Sequence, residues 1–175
     1  MNQEQTRQTQ SKLPSAVFIG LAGDDTDLTG EQRAALEACL AADASLPKPE
    51  LSLDVPAGLV LCFDYPARTL ELVRRLGASV RRTGWPLPPL RIGAHVSTVI
   101  SKSGASDTTT STGSMDGAMR VARLAGPNQA LSTPAFRALI VQQVKSGTEH
   151  FRDLGELTGK NGRAVQVFEI VPFSR

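Results

Sequence analysis

The fold of this chain is decided by the stretch LSLDVPAGLVLCFDYPARTLELVRRLGASV, which runs from Leu51 to Val80. Two apolar runs flank the turn residues VPAG and predict a β-hairpin. A helix is predicted to follow directly, because Pro66 suits a first helical turn and apolar residues then recur at helical spacing. That apolar stripe consists of Leu70, Val73, Leu76 and Val80.

Residues on both sides extend this unit into a longer alternation of strands and helices. The run SAVFIGLAG (15–23) predicts a buried strand. Thr29, with Gln32 three residues later, has the spacing of a capping box that begins a helix. The whole chain gives the order β-α-β-β-α-β-α-β-α-β-β. The predicted fold class is α+β, a ferredoxin-like palm with a βαββαβ core, helices on one face of a mainly antiparallel sheet, and an additional C-terminal helix and β-hairpin.

Two local patterns in the second half make sharper predictions. Residues 101–114, SKSGASDTTTSTGS, consist almost entirely of small polar residues and predict a loop. The next helix is therefore predicted over Asp116–Leu124. Ser132 is predicted to be the N-cap of the last helix, because Pro134 then falls in its first turn.

Length and composition predict one folded domain and argue against some partners. Residues 1–13 are polar and predict a disordered N-terminal tail, which leaves 14–175 as a single domain. The net charge of +2 is spread along the chain, which argues against a nucleic-acid partner. No apolar run approaches the roughly 18 residues that span a membrane, and the N-terminus has no apolar signal core. We therefore expect a cytoplasmic protein without a membrane partner.

Two arginine pairs and two cysteines have simple interpretations. The pairs at 74–75 and 81–82 predict either the solvated face of the helix that begins at Pro66 or a contact with an acidic partner. Cys39 and Cys62 are isolated and lack metal-ligand spacing, so they are predicted to be core residues.

Four segments, in the same order along the chain, resemble the class III nucleotide cyclase homology domain of adenylate and guanylate cyclases. They are LVLCFDYPARTLELVRRL (59–76), PLRIGAHVSTV (89–99), ARLAGPNQALSTPAFRAL (122–139) and FRDLGELTGKNGRAVQVFEI (151–170). The resemblance covers roughly residues 15–173. It implies the palm fold of that family and active sites formed between two head-to-tail protomers.

The resemblance also implies a set of functional positions, which can be compared one by one. In the family, two aspartates hold two divalent cations over a nucleoside triphosphate, and the ribose 3′-hydroxyl attacks the α-phosphate. An asparagine and an arginine on one helix face orient the ribose and stabilise transition-state charge, while two lysines recognise the base and the phosphates. Five of these positions are changed here: Gly20 and Ala57 for the metal aspartates, Met119 for the asparagine, Leu53 for the base lysine and Thr158 for the phosphate lysine.

Four residues remain as candidate pocket or interface positions. Asp116 and Arg123 match an aspartate and the arginine of the family pattern, Thr112 falls where the family contacts the base, and Lys160 lies two residues beyond Thr158. Glycine and alanine offer no oxygen ligand to Mg²⁺. We therefore expect no metal cofactor and no catalytic residues.

These observations favour a catalytically inactive cyclase-homology domain that acts as a regulatory or protein-interaction module in bacterial signalling. Its expected partner is a second copy, or another cyclase-like or signalling protein, in a dimer. Two alternatives stay open. One is a divergent cyclase that converts ATP or GTP to a cyclic nucleotide, with Mg²⁺ or Mn²⁺ held by displaced acids among Asp24, Asp25, Asp27 and Asp54. The other is a sensor that binds a nucleotide or another anion without turnover.

Overall fold

A computed structural model describes residues 14–23, 27–82, 85–96 and 108–171, and the helices and strands in these ranges follow the predicted order. The predicted tail, 1–13, lies outside the described residues. The elements are β1 (Ser15–Leu21), α1 (Gly30–Ala42), β2 (Leu51–Val55), β3 (Gly58–Phe63), α2 (Pro66–Val80), β4 (Leu90–Val96), α3 (Thr108–Ala122), β5 (Gln129–Ser132), α4 (Pro134–Gln143), a short 3-10 helix (Gly147–His150), β6 (Phe151–Thr158) and β7 (Ala164–Ile170).

The strands of the described residues form one sheet of seven strands in the order β2-β3-β1-β4-β5-β7-β6. Strands β4 and β5 are parallel, and the other neighbouring pairs are antiparallel. The parallel pair needs a crossover connection, and α3 provides it. The predicted α+β class and the mainly antiparallel sheet are confirmed.

Helices cover both faces of this sheet. On one face, side chains of α1, α2 and α4 pack against alternate residues of β1, β3 and β4, as Val17 and Ile19 illustrate. On the other face, α3 packs against the intervening residues, such as Ala16 and Phe18. Strand β1 is therefore buried along its whole length, which explains why its sequence is a continuous apolar run rather than an alternating one. The prediction that the helices of the βαββαβ core lie on one face is confirmed, since α1 and α2 share a face, and α3, outside that core, covers the other.

Helix α3 lies unusually close to the sheet because β4 carries a glycine at the contact. A Cβ atom added at Gly93 would overlap the backbone of Ala118 and Ala122 on α3. The prediction of a loop over 101–114 is wrong from residue 108 onward, since α3 begins at Thr108. Residues 101–107 lie outside the described residues. The polar residues of the first turns have weak helix propensity, and packing of the apolar second half against the sheet overrides it.

The helix caps follow the sequence in one case and differ by one residue in the other. Thr29 caps α1 through the predicted capping box with Gln32. The cap of α4 is Thr133, whose hydroxyl accepts a hydrogen bond from the backbone N–H of Phe136. Ser132, the predicted cap, is the last residue of β5, and its hydroxyl donates instead to the carbonyl of Phe168 at 3.3 Å.

One edge of the sheet is the short strand β2. Its five residues include the exposed Asp54 in the second half of the strand, and Pro56 follows directly after the strand. Leu51 at its start is 42% exposed. None of the helices in the described ranges is long and apolar enough to cross a membrane.

Candidate functional site

The two positions that match the metal-binding aspartates lie side by side at one end of the sheet. Gly20, near the end of β1, pairs directly with Gly58 at the start of β3. A Cβ atom at Gly20 would lie 2.9 Å from the carbonyl oxygen of Ala57, which belongs to the turn between β2 and β3. The two segments were matched to the family independently, so their meeting in space supports the register of both matches.

The surroundings of these two positions are apolar. Phe18 and Val60 form a buried floor, and six half-buried side chains surround it. We call this set the apolar surface: Phe18, Val60, Leu53, Val55, Ala57, Cys62, Met115 and Met119. Three of the five changed positions, Leu53, Ala57 and Met119, belong to the apolar surface. A fourth changed position, Gly20, lies against the ring of Phe18. Four of the positions that differ from the family pattern, far apart in sequence, therefore lie at one place, and none of them carries a polar side chain.

This donor set does not fit a Mg²⁺ or Mn²⁺ ion. Both ions prefer carboxylate, carbonyl and water oxygens, whereas the side chains of the apolar surface end in carbon or sulfur. Within the described residues, no group of three or more His, Cys, Asp and Glu side chains is placed to hold a metal ion. The prediction that this chain uses no metal cofactor rests on that chemistry and stays a prediction.

The displaced acids that could rescue catalysis are poorly placed where the structure describes them. Asp54 pairs with Leu59 across the β2–β3 ladder, which puts its side chain on the face opposite Gly58 and Val60. Its carboxylate is 65% exposed and lies 3.7 Å from Nη1 of Arg33. Asp27 lies in an exposed loop segment, and 24–26 fall outside the described residues.

Arg33 of α1 ties down the turn that carries Ala57. Its guanidinium donates to the backbone carbonyls of Val55 at 2.9 Å, Gly58 at 3.2 Å and Pro56 at 3.3 Å. The same turn accepts a backbone hydrogen bond from Leu28 N–H to the Pro56 carbonyl at 2.8 Å. The turn is therefore attached to α1 and to the loop before it. This role of Arg33 was missed in the sequence, because carbonyl partners leave no signal in a pattern of side chains.

Arg123 lies elsewhere, in a second groove between the end of α3 and the β6–β7 turn. This groove has a volume of about 660 Å³. We call it the cationic groove, because four basic side chains line it: Arg120, Arg123, Lys160 and Arg163. None of the described residues that line it is acidic. Clustered like charges of this kind produce a positive potential that attracts anions.

The structure thus separates the predicted pocket residues. It brings Arg123 and Lys160 together in the cationic groove, whereas Asp116 is exposed and Thr158 is exposed on β6, both outside the lining. Thr112 lies in the first half of α3. No ion pair joins Arg123 to Asp116 in the part of the chain that the structure describes.

The sequence analysis missed two of the four cations in this groove. Arg120 is three residues before Arg123 and shares its helix face, so helical spacing alone could have identified it. Arg163 reaches the groove only because the β6–β7 turn folds back against α3, about 40 residues away in the chain.

His95 shows how the second half of α3 is seated between the two surfaces. A Cβ atom at Gly117 would overlap the His95 ring, so the glycine makes room for the imidazole. The ring Nδ1 lies 2.8 Å from the Thr133 hydroxyl. Burial lowers the pKa of His95, and the nearby Arg120 lowers it further. The ring is therefore neutral at neutral pH, which suits a packing role.

Comparisons with known proteins identify the fold. No family model and no curated protein matches the sequence. Among solved structures, the chain resembles an adenylate/guanylate cyclase/hydrolase from Silicibacter pomeroyi, at 19% identity over 93% of this chain and 98% of that chain, with a TM-score of 0.55. It also resembles an adenylate cyclase from Trypanosoma brucei in its monomeric state, at 12% identity over 98% and 95% of the two chains, with a TM-score of 0.61.

A third similar structure is the dimeric guanylyl cyclase domain of the RhoGC fusion protein from the fungus Blastocladiella emersonii. It is 11% identical over 91% of this chain and 96% of that chain, with a TM-score of 0.53. The chain therefore has the fold of class III adenylate and guanylate cyclase domains, as its four sequence segments predicted. Identities at this level establish the fold, and the activity has to be inferred from the residues of the site.

Proposed function

We propose that this chain is a catalytically inactive cyclase-homology domain that works by binding a partner protein, in bacterial signalling. The apolar surface carries the proposal. Cyclisation of a nucleoside triphosphate in this family requires two cations that activate the 3′-hydroxyl and neutralise the triphosphate. Gly20, Ala57 and the side chains around them supply no oxygen for such cations, so the chain lacks the groups that perform this step.

The same surface suits association with a protein. Helix α3 packs over β1 and β4, and the α3-side residues Leu53, Val55 and Cys62 of β2 and β3 stay half-exposed. Leu51, 42% exposed, continues this apolar stripe along β2. Covering apolar area contributes about 25 cal/mol per Å². We propose that a second copy of the chain, or another cyclase-fold domain, covers this surface in a dimer.

Turnover of ATP and GTP with excess Mn²⁺ tests the loss of activity. The expected result is no cyclic nucleotide above the level without protein. The competing reading, a divergent cyclase with displaced acids, predicts a product that disappears in Asp54→Ala or Asp24→Ala, and that result would overturn the proposal.

Sedimentation velocity at increasing concentration tests the dimer. The wild-type chain is expected to dimerise, and Leu53→Asp is expected to stay monomeric, because it places a charge in the apolar surface. Ser52→Asp is the matched control, since Ser52 is the adjacent residue, exposed and on the opposite face of β2. A wild-type monomer at high micromolar concentration rules out self-pairing.

A second candidate function, binding of a nucleotide or another anion without turnover, is favoured by the cationic groove. Charged hydrogen bonds to phosphate contribute about 1.5–3 kcal/mol when sheltered and less when exposed. Calorimetry with ATP, GTP and inorganic triphosphate is expected to show binding that weakens with salt and that falls about threefold to tenfold in Arg123→Ala. Absence of heat at millimolar ligand rules this function out and leaves the first proposal untouched.

A further inference from the structure

The face of the molecule that carries α1, α2 and α4 has a groove of its own, and its lining includes none of the positions matched to functional residues of the cyclase family. It runs along the outer side of α2 and is closed on its other side by the segment that follows α4. The groove has a volume of about 590 Å³. We call it the helical groove. Its apolar floor consists of Leu70, Ala78 and Val144, and Arg74, Arg81 and His150 stand around it.

The two arginine pairs of the sequence contribute unequally to this groove. Arg75 is neutralised by Glu71, one turn earlier on α2, through an ion pair of 2.7 Å. Arg74 and Arg81 line the groove, are exposed, and form no ion pair in the described part of the chain. Arg82 points elsewhere, since it is not part of the lining. Two guanidinium groups are therefore available on one side of an apolar floor.

We propose that the helical groove binds an acidic segment of a partner protein, with carboxylates on Arg74 and Arg81 and an apolar side chain between them. Arginine pairs with carboxylates in a bidentate geometry that favours this kind of recognition. Seven residues of helix separate the two arginines, which is about 10 Å along the axis. In a polyproline II segment, which has three residues per turn, acidic residues three apart lie on one face and span a similar distance, about 9 Å.

Other groups around the groove favour a carboxylate-bearing peptide over nucleic acid. His150 is neutral at neutral pH, because burial and the neighbouring Arg74 lower its pKa. Glu71 lines the groove, and Glu149 is close enough to His150 to act on its pKa. Because Glu71 is paired with Arg75, the groove offers two guanidinium groups, Arg74 and Arg81, which suffice for two carboxylates but not for a continuous run of phosphates. The apolar floor offers nothing to a sugar-phosphate backbone. A short segment with two carboxylates and an apolar residue can pair with both arginines and place its apolar side chain on the apolar floor.

The groove lies on the opposite face of the sheet from the apolar surface. A segment could therefore occupy it whether or not the domain is paired through β2 and β3. The inference does not depend on the loss of cyclase activity, and its test is separate from the test of the dimer.

Fluorescence anisotropy with a labelled 12-residue peptide of repeated Glu-Leu-Ser is a direct test on the full chain. The peptide is expected to bind at low salt, and the matching Gln-Leu-Ser peptide is expected not to bind. Binding is expected to weaken at least about tenfold in Arg74→Glu/Arg81→Glu, since each lost ion pair becomes a repulsion. The milder Arg74→Gln/Arg81→Gln should show an intermediate loss, and circular dichroism checks that both variants fold.

Lys48→Glu/Arg82→Glu is the matched control, because it changes the net charge by the same amount outside the groove. This control is expected to keep at least half of the wild-type affinity. An equal loss in both double variants would show that overall charge, and not the groove, attracts the peptide, and the proposal fails. It also fails if the peptide does not bind, or if a 12-nucleotide single strand of DNA binds more tightly than the peptide.

Discussion

The apolar surface and the cationic groove meet along one helix, α3, and they differ in their chemistry. Met119 of α3 belongs to the first and Arg123, one turn later, lines the second. In the family that the sequence resembles, both positions belong to the catalytic apparatus. Here the side chains at the positions matched to the cation ligands and their surroundings end in carbon or sulfur, and the groove that contains Arg123 is basic. If both proposals hold, the comparison of these two surfaces would separate anion binding from catalysis in this fold.

Helix α3 contributes residues to both surfaces and packs closely on the sheet. Disrupting that packing should therefore lower the free energy of unfolding more than the other changes considered below. Gly93→Val should lower the free energy of unfolding by about 3 kcal/mol, because its side chain would overlap the α3 backbone at Ala118. Chemical denaturation measures this loss. Gly30→Ala is the control, since no atom lies within 4 Å of the added carbon, and it should change stability by less than about 0.5 kcal/mol. A tolerated Gly93→Val would contradict the close packing of α3.

Introducing an aspartate at Gly20 or Ala57 tests whether the apolar surroundings, and not only the missing carboxylates, prevent catalysis. Gly20→Asp should lower the free energy of unfolding by about 2 kcal/mol, because its Cβ meets the Phe18 ring at 2.8 Å and its carboxylate enters apolar surroundings. Ala57→Asp, on a half-buried turn residue, should cost less. The double variant should still produce no cyclic nucleotide with Mn²⁺. Turnover in that variant would show that two carboxylates suffice and that the surrounding apolar residues do not matter.

The next largest loss of stability is expected when the β2–β3 turn is detached from α1. Arg33→Met should lower the free energy of unfolding by about 1–2 kcal/mol, since three backbone carbonyls lose a charged donor while the aliphatic stem is kept. Arg68→Met is the comparison variant, because it breaks a half-exposed pair with Glu50 and a distant contact with the Phe63 ring, and it should cost less than about 1 kcal/mol. Equal effects would mean that Arg33 does not hold the turn.

The smallest expected effect is the pH dependence contributed by His95. Its pKa is lower in the folded chain than its ordinary value of 6.5, so the unfolded chain takes up a proton more readily. The free energy of unfolding is therefore highest above about pH 6.5 and decreases as the pH falls toward the folded-state pKa. His95→Gln should flatten this slope in denaturation curves between pH 7.5 and about 5. An unchanged slope would assign the pH dependence to other groups.

The two surfaces also differ in how much of them the sequence predicts. The apolar side follows from motif order, because Gly20, Leu53, Ala57 and Met119 could each be matched to a family position before any contact was known. The cationic side is predicted only in part, since Arg163 approaches Arg123 through the folding of a distant hairpin. Local patterns predicted the element order and the Thr29 cap. They failed at Thr108, where contact with β4 decides the conformation against weak propensity.

Strand β2 has a consequence for solubility. A chain that exposes an apolar face beside an open sheet edge risks adding copies strand to strand, which leads to open-ended aggregates. Here the edge strand has five residues, carries the exposed Asp54, and is followed directly by Pro56, which has no N–H to donate. These features disfavour pairing along the edge while leaving Leu53 and Val55 on the face. The proposed dimer would therefore use the face of the sheet, where a two-fold contact closes after two copies.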